Sequence, residues 1–163
     1  KLEVDQQFKE SDRRLRELGK QIAGLGDKFG GFTEGLAWPS IEKILRETFQ
    51  MENITQNMQV SQNGHTMELD AFAWSRKIVD HVVIVEVKSK LRFDGLEQLQ
   101  RNLKDFHDFF PEFKDRKVYA LLASVDIPSD LRQQVVNKGI YLATIHDDEF
   151  KLDVPEDFEP RAY

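Results

Sequence analysis

The 163-residue sequence predicts an α/β fold built on a mixed sheet with helices on its faces. Three observations predict it. Two period-two runs flank Asn63-Gly64, a dipeptide that tolerates positive φ at both positions and so marks a hairpin. His81–Ser89 contains Val82-Val83-Ile84-Val85, apolar on both faces, as a strand in the middle of a covered sheet must be. After it, helical and strand patterns alternate, which implies strand–helix–strand crossovers and parallel pairing.

The elements follow in order. Val4, Phe8, Leu15, Leu18, Ile22, Leu25, Phe29, Phe32 and Leu36 recur at steps of three and four, interrupted only at Ser11. That is a heptad seam, which needs a partner helix from another copy or from the same chain. Gly19, Gly24, Gly26, Gly30, Gly31 and Gly35 weaken the helix, each costing about 1 kcal/mol relative to Ala, so it bends or breaks near 24–32. A second helix runs to about residue 50, with Trp38-Pro39 kinking or restarting it. Strands are expected at Ile54–Gln62, Thr66–Trp74 and His81–Ser89. A helix spans Phe93–Phe110, with Leu96, Leu99, Leu103 and Phe106 on one stripe and Pro111 as its stop. Val118–Val125 is a buried strand, Ser129–Asn137 a helix capped by Gly139, and Ile140–His146 a last strand. Phe150–Tyr163 reads as an acidic, proline-punctuated tail lying against the domain. The expected order is α-α-β-β-β-α-β-α-β, with residues 1–30 a coiled-coil helix and 31–163 the α/β domain with its acidic C-terminal tail.

Composition excludes several classes. There is no cysteine, hence no disulfide framework or thiolate metal site. No apolar run approaches the length of a membrane helix, and mean hydropathy is −0.53. Twelve Phe and 40% hydrophobic residues are too many for a disordered chain. The net charge of −6 is local. Residues 1–50 hold nine charges of each sign, 51–104 seven of each, and 105–163 seven positive against thirteen negative. The balance argues against a constitutive high-affinity nucleic-acid binder, but not against an enzyme touching a few phosphates. The sequence starts at Lys1, so a missing leader weighs little; a cytoplasmic location is the expectation. No phosphate-binding loop, nucleophile elbow or dinucleotide fingerprint occurs.

The chemistry is concentrated in Asp70 and Glu86-Val87-Lys88. Glu86 and Lys88 differ by two, so they share a face at the end of a buried strand, while Val87 points into the core. If Thr66–Trp74 and His81–Ser89 form a hairpin centred on Ile78, residues summing to 156 are opposite, and Asp70 faces Glu86. Two carboxylates that close repel each other unless a proton or cation intervenes. Mg²⁺, with oxygen ligands and retained waters, satisfies the pair. Lys88 is then placed to stabilise developing negative charge.

An Asp on one strand and Glu-x-Lys on the next, between helices, resembles the PD-(D/E)xK superfamily of restriction-endonuclease-like nucleases. The resemblance covers roughly residues 33–146, although Leu69 stands where the motif's proline would be. It implies a metal-dependent endonuclease hydrolysing DNA, duplex or branched. Asp70, Glu86 and the Val87 carbonyl would bind Mg²⁺ (Mn²⁺ as substitute), with Lys88 catalytic. In some branches a Glu on the first core helix joins the metal, and Glu34 stands at that place. The heptad helix ahead of this core resembles an uncharacterised bacterial branch, and pairing through residues 4–36 implies a dimer. The competing readings are an inactive nuclease-fold module that binds nucleic acid or protein, and a pure oligomerisation protein. Glu68, Lys90, Arg92, Gln98, Gln100 and Arg101 are further polar candidates. His65, His81, His107 and His146 have no catalytic spacing and read as structural, as do Trp38 and Trp74.

Overall fold

The computed structural model describes residues 38–76 and 80–163. The expected coiled coil, its dimer contact and Glu34 lie outside the described residues. Within them a helix α1 covers residues 38–48, its last turn, Ile44–Thr48, widened to π form. Six strands follow: β1 (Asn53–Gln62), β2 (His65–Trp74), β3 (His81–Lys90), β4 (Lys117–Asp126), β5 (Tyr141–His146) and β6 (Glu149–Leu152). Helix α2 (Phe93–Phe109) joins β3 to β4, and α3 (Ser129–Asn137) joins β4 to β5.

The strands lie in sequence order in one sheet, β1-β2-β3-β4-β5-β6. Pairing is antiparallel except for β3–β4 and β4–β5, which are parallel. This topology decides where the helices go. Both crossovers advance across the sheet in the same direction, so right-handed connections put α2 and α3 on one face. Leu96, Leu99, Leu103 and Phe106 of α2, and Leu131 and Val135 of α3, accordingly pack over Val82, Ile84, Val118 and Leu122. The other face needs its own cover. Trp38, Ile41, Ile44 and Leu45 of α1 provide it, over Ala71, Ala73, Val83, Val85 and Leu121. Every side chain of Val82-Val83-Ile84-Val85 is fully buried, as expected of a strand covered on both faces.

Two details of the expected order change. Pro111 ends α2 but opens a short 3₁₀ turn, Pro111–Phe113. The tail begins with a strand: β6 pairs with β5 through Ile145↔Phe150 and His146↔Glu149, and Phe150 is buried in the α1 face. The connecting pair, Asp147-Asp148, has φ of 53° and 64°, the same two-residue geometry as Asn63-Gly64 at 51° and 80°. Aspartate reaches this conformation less readily than Gly, so the sequence carries a weak signal there. Replacing Asp147 with Asn and Asp148 with Gly is expected to stabilise the fold by about 1 kcal/mol, read as a raised urea midpoint at unchanged m. The rest of the tail does lie on the domain: Val118 and Tyr163 exchange backbone hydrogen bonds of 3.1 and 2.9 Å. Gly139 closes α3 at φ +71°, where a Cβ would meet the Arg161 backbone nitrogen at 2.5 Å.

The β1–β2 hairpin changes faces along its length. Residues 71 and 73 face α1 while 67 and 69, of the same parity, face α2. On β1, Ile54 packs on the α1 side, and Met58 and Val60 on the α2 side. The hairpin therefore exchanges its faces between these positions. Asn57 sits at the exchange with φ +52°, and the constant register places it across from Asp70. The base of the hairpin belongs to the sheet; its tip turns over α2.

Candidate metal centre

The exchange of faces tears the sheet. β2 and β3 pair only through Ala71↔Val85, Phe72↔Ile84, Ala73↔Val83 and Trp74↔Val82. All four pairs sum to 156, the register expected from a turn centred on Ile78. Beyond them β2 continues with β1 and β3 continues with β4, so a fork opens between them. Asp70 and Glu86 are the first residues past the last rung. They lie one step beyond the ladder rather than as a rung of it.

The ladder's next hydrogen bond would run from the Val87 N–H to the Leu69 carbonyl. Asp70 takes it instead: its Oδ2 accepts from Val87 N at 2.7 Å. A carboxylate thus holds the crotch of the fork. In an extended strand one residue's N–H and C=O point to the same neighbour. The Val87 carbonyl therefore also faces the fork, while its side chain is buried with the α1 layer.

Glu86 and Lys88 point to the α2 side. Lys88 Nζ is 3.3 Å from Glu86 Oε1. The Glu86 side chain is only 14% exposed and that of Lys88 is 37% exposed. Burial, and then the neighbouring Asp70 carboxylate, push the Glu86 pKa up to about 8, with Lys88 offsetting part of the rise. The site therefore carries one more negative group than its own cation satisfies, and a proton takes the place a second cation would take. Asp70 and Glu86 with the Val87 carbonyl make a set of hard oxygen donors, which suits Mg²⁺ retaining several waters. Among the described residues no third acid or imidazole joins these two.

Two residues around the fork carry no motif signal. Asn102 is buried on the apolar stripe of α2 and donates to the Glu68 carbonyl at 3.5 Å, two residues from Asp70. Its position three after Leu99, on the stripe, is the sequence feature that marks it. Ser124 is fully buried and aligned with Lys88 across β3–β4, but its hydroxyl is spent on the Asp126 carbonyl at 3.0 Å.

The remaining candidates are dispersed. Glu68 is exposed and accepts a 3.4 Å bond from Gln59. Gln98 and Arg101 bond to one another at 2.8 Å and line a groove of about 410 Å³ between α2 and the hairpin tip. Asp70, Glu86 and Lys88 do not line it. Gln100 is half-buried in α2. Three of the four His have structural partners. His107 is 2.8 Å from the Arg116 carbonyl, His81 packs edge-on to Tyr119, and His146 lies beside Thr144 and Asp153. Trp38, on α1, is buried against the sheet, and Trp74 packs on Phe113.

No family model matches the sequence, and no curated protein does. Among solved structures the chain is similar to EndoMS in a complex with double-stranded DNA, at 12% identity and TM-score 0.42. That match covers 68% of this chain and 44% of the other. It is also similar to a repair endonuclease from Pyrococcus abyssi, at 14% identity and TM-score 0.40, over 73% of this chain and 48% of that one. The chain spans under half the length of either.

Proposed function

We propose that this chain is a divalent-metal-dependent phosphodiesterase acting on DNA, of the PD-(D/E)xK type. The observation that supports it is the fork itself. It brings two carboxylates together at the end of a buried strand, with a Lys beside them and their charge incompletely met. Asp70 and Glu86 hold Mg²⁺, with the Val87 carbonyl as a further ligand and Glu34 joining from the segment ahead of α1. Once bound, Mg²⁺ supplies positive charge to a phosphoryl oxygen and lowers the pKa of a bound water. Lys88, its ammonium already held against Glu86, faces the same space and stabilises negative charge developing on the phosphate. The Val87 N–H fixes the Asp70 carboxylate and so the position of the pair. Pairing of residues 4–36 would join two copies and set two such sites at a fixed spacing. No helix among the described residues is long and apolar enough to cross a membrane.

A second reading is a module that binds without cutting. The 3.3 Å Glu86–Lys88 pair favours it, because an ion pair at a strand end needs no ligand. Calorimetric titration with Mn²⁺ separates the two. The first reading expects binding to the wild type that Asp70→Ala abolishes, and Mn²⁺-dependent cleavage of DNA that Asp70→Ala lacks. Unaltered Mn²⁺ binding after Asp70→Ala, or none to the wild type at millimolar metal, leaves the module.

A further inference from the structure

Phe93 is the one large apolar side chain left exposed among the described residues, at 56%. A single exposed Phe is ordinary. Its surroundings are not. It opens α2 after Leu91 and Arg92, which link it to β3, and the helix turn that it begins touches the site: the Gly95 backbone lies against Lys88, whose Cε is 3.6 Å from the point a Cβ would occupy. Lys90 and Arg92 are exposed beside it, and among the described residues neither carries an ion pair. The run 87–93 holds three cations and no acid, in a chain of net charge −6. Of the acids around it, Glu86 is paired with Lys88, Asp94 accepts a 3.0 Å bond from the Gly95 N–H, and Asp126 lies across from Lys90 in the sheet without an ion pair to it. Leu91 between them is fully buried, its N–H bonded to the Asp126 carbonyl at 2.9 Å, so the two cations and the ring are presented from a fixed turn.

An exposed ring flanked by unpaired cations matches one ligand chemistry: a strand with anionic links and flat, stackable groups. We infer that Phe93 stacks on an unpaired nucleobase while Lys90 and Arg92 hold the adjoining phosphates, so that the site takes nucleic acid with single-stranded nucleotides in preference to continuous duplex. This rests on the nuclease reading for its purpose but not for its test. A base inside a duplex offers no free face to the ring; an unpaired one does.

The experiment is fluorescence anisotropy of the full chain with labelled oligothymidylate and with a blunt duplex, in EDTA. The wild type is expected to bind the single strand more tightly. Phe93→Ala lowers single-strand affinity by about tenfold and Phe93→Trp restores it, with duplex affinity unchanged. The ring is exposed, so neither variant shifts the thermal midpoint. Lys90→Ala with Arg92→Ala reduces the salt slope for the single strand by about 1.4, roughly 0.7 for each phosphate no longer neutralised. Wild-type affinity after Phe93→Ala, an equal loss on duplex, no rescue by Trp, or no single-strand binding by the wild type overturns the inference. Asp70→Ala is expected to keep the single-strand preference, so a failed Mn²⁺ titration leaves this result standing.

Discussion

Glu86→Gln is expected to remove a fall in stability between about pH 4.5 and pH 8 that the metal-free wild type shows. The unfolded Glu86 titrates near 4.5 and the folded one at about 8. Between those values the folded state holds a proton that the unfolded state has released, so stability drops as pH rises. The stabilisation is complete below pH 4.5 and gone above the folded value. The difference amounts to about 3–5 kcal/mol, a large share of the 5–15 kcal/mol that a domain of this kind possesses. Urea unfolding at a series of pH values in EDTA measures it. Other acids contribute equally to both proteins, so only the difference between the two curves counts. Parallel curves for wild type and Glu86→Gln would show that Glu86 titrates alike in the folded and unfolded states, and the raised affinity for a proton that supports a cation site at the fork would be gone.

Lys88→Ala carries the second large effect. Under the proposed mechanism its ammonium acts on charge that develops in the transition state, and removing such a group costs about 10²- to 10³-fold in rate. Mn²⁺ affinity is expected to stay within a few-fold, because the oxygen donors remain. Loss of metal binding together with rate would instead make Lys88 a support for Glu86. An unchanged rate would remove it from the chemistry.

Five of the six described strands lie within one residue of the bounds expected from the sequence. The β2–β3 register followed from the hairpin arithmetic, because period-two patterning on both strands and a connection centred on Ile78 leave little freedom. The buried run at 82–85 announced the central strand, and the stripe on α2 announced which face it buries. Glu86 and Lys88 stood out because charge at the end of such a strand is costly. What stayed hidden was local backbone geometry. The exchange of faces at Asn57 and Asp70 breaks the parity on which strand reading depends, and a single Asn is its only trace. The Asp70–Val87 bond follows from that exchange and was hidden with it. β6 escapes a sequence reading because Asp147-Asp148 is a poor form of the turn that Asn63-Gly64 makes well. Phe93 falls within a helical pattern, where only its exposure distinguishes it.

The torn ladder has a spectroscopic consequence. Within the paired part of β2 and β3, amides are tied to backbone carbonyls and report only on the integrity of the sheet. The Val87 amide is tied to a side-chain carboxylate. In a ¹⁵N-labelled sample it is a built-in reporter: its chemical shift follows any cation that binds the Asp70 carboxylate. Its exchange with deuterated solvent is governed by that one carboxylate, while Val83 and Val85, buried in the same strand, exchange only when the sheet itself opens.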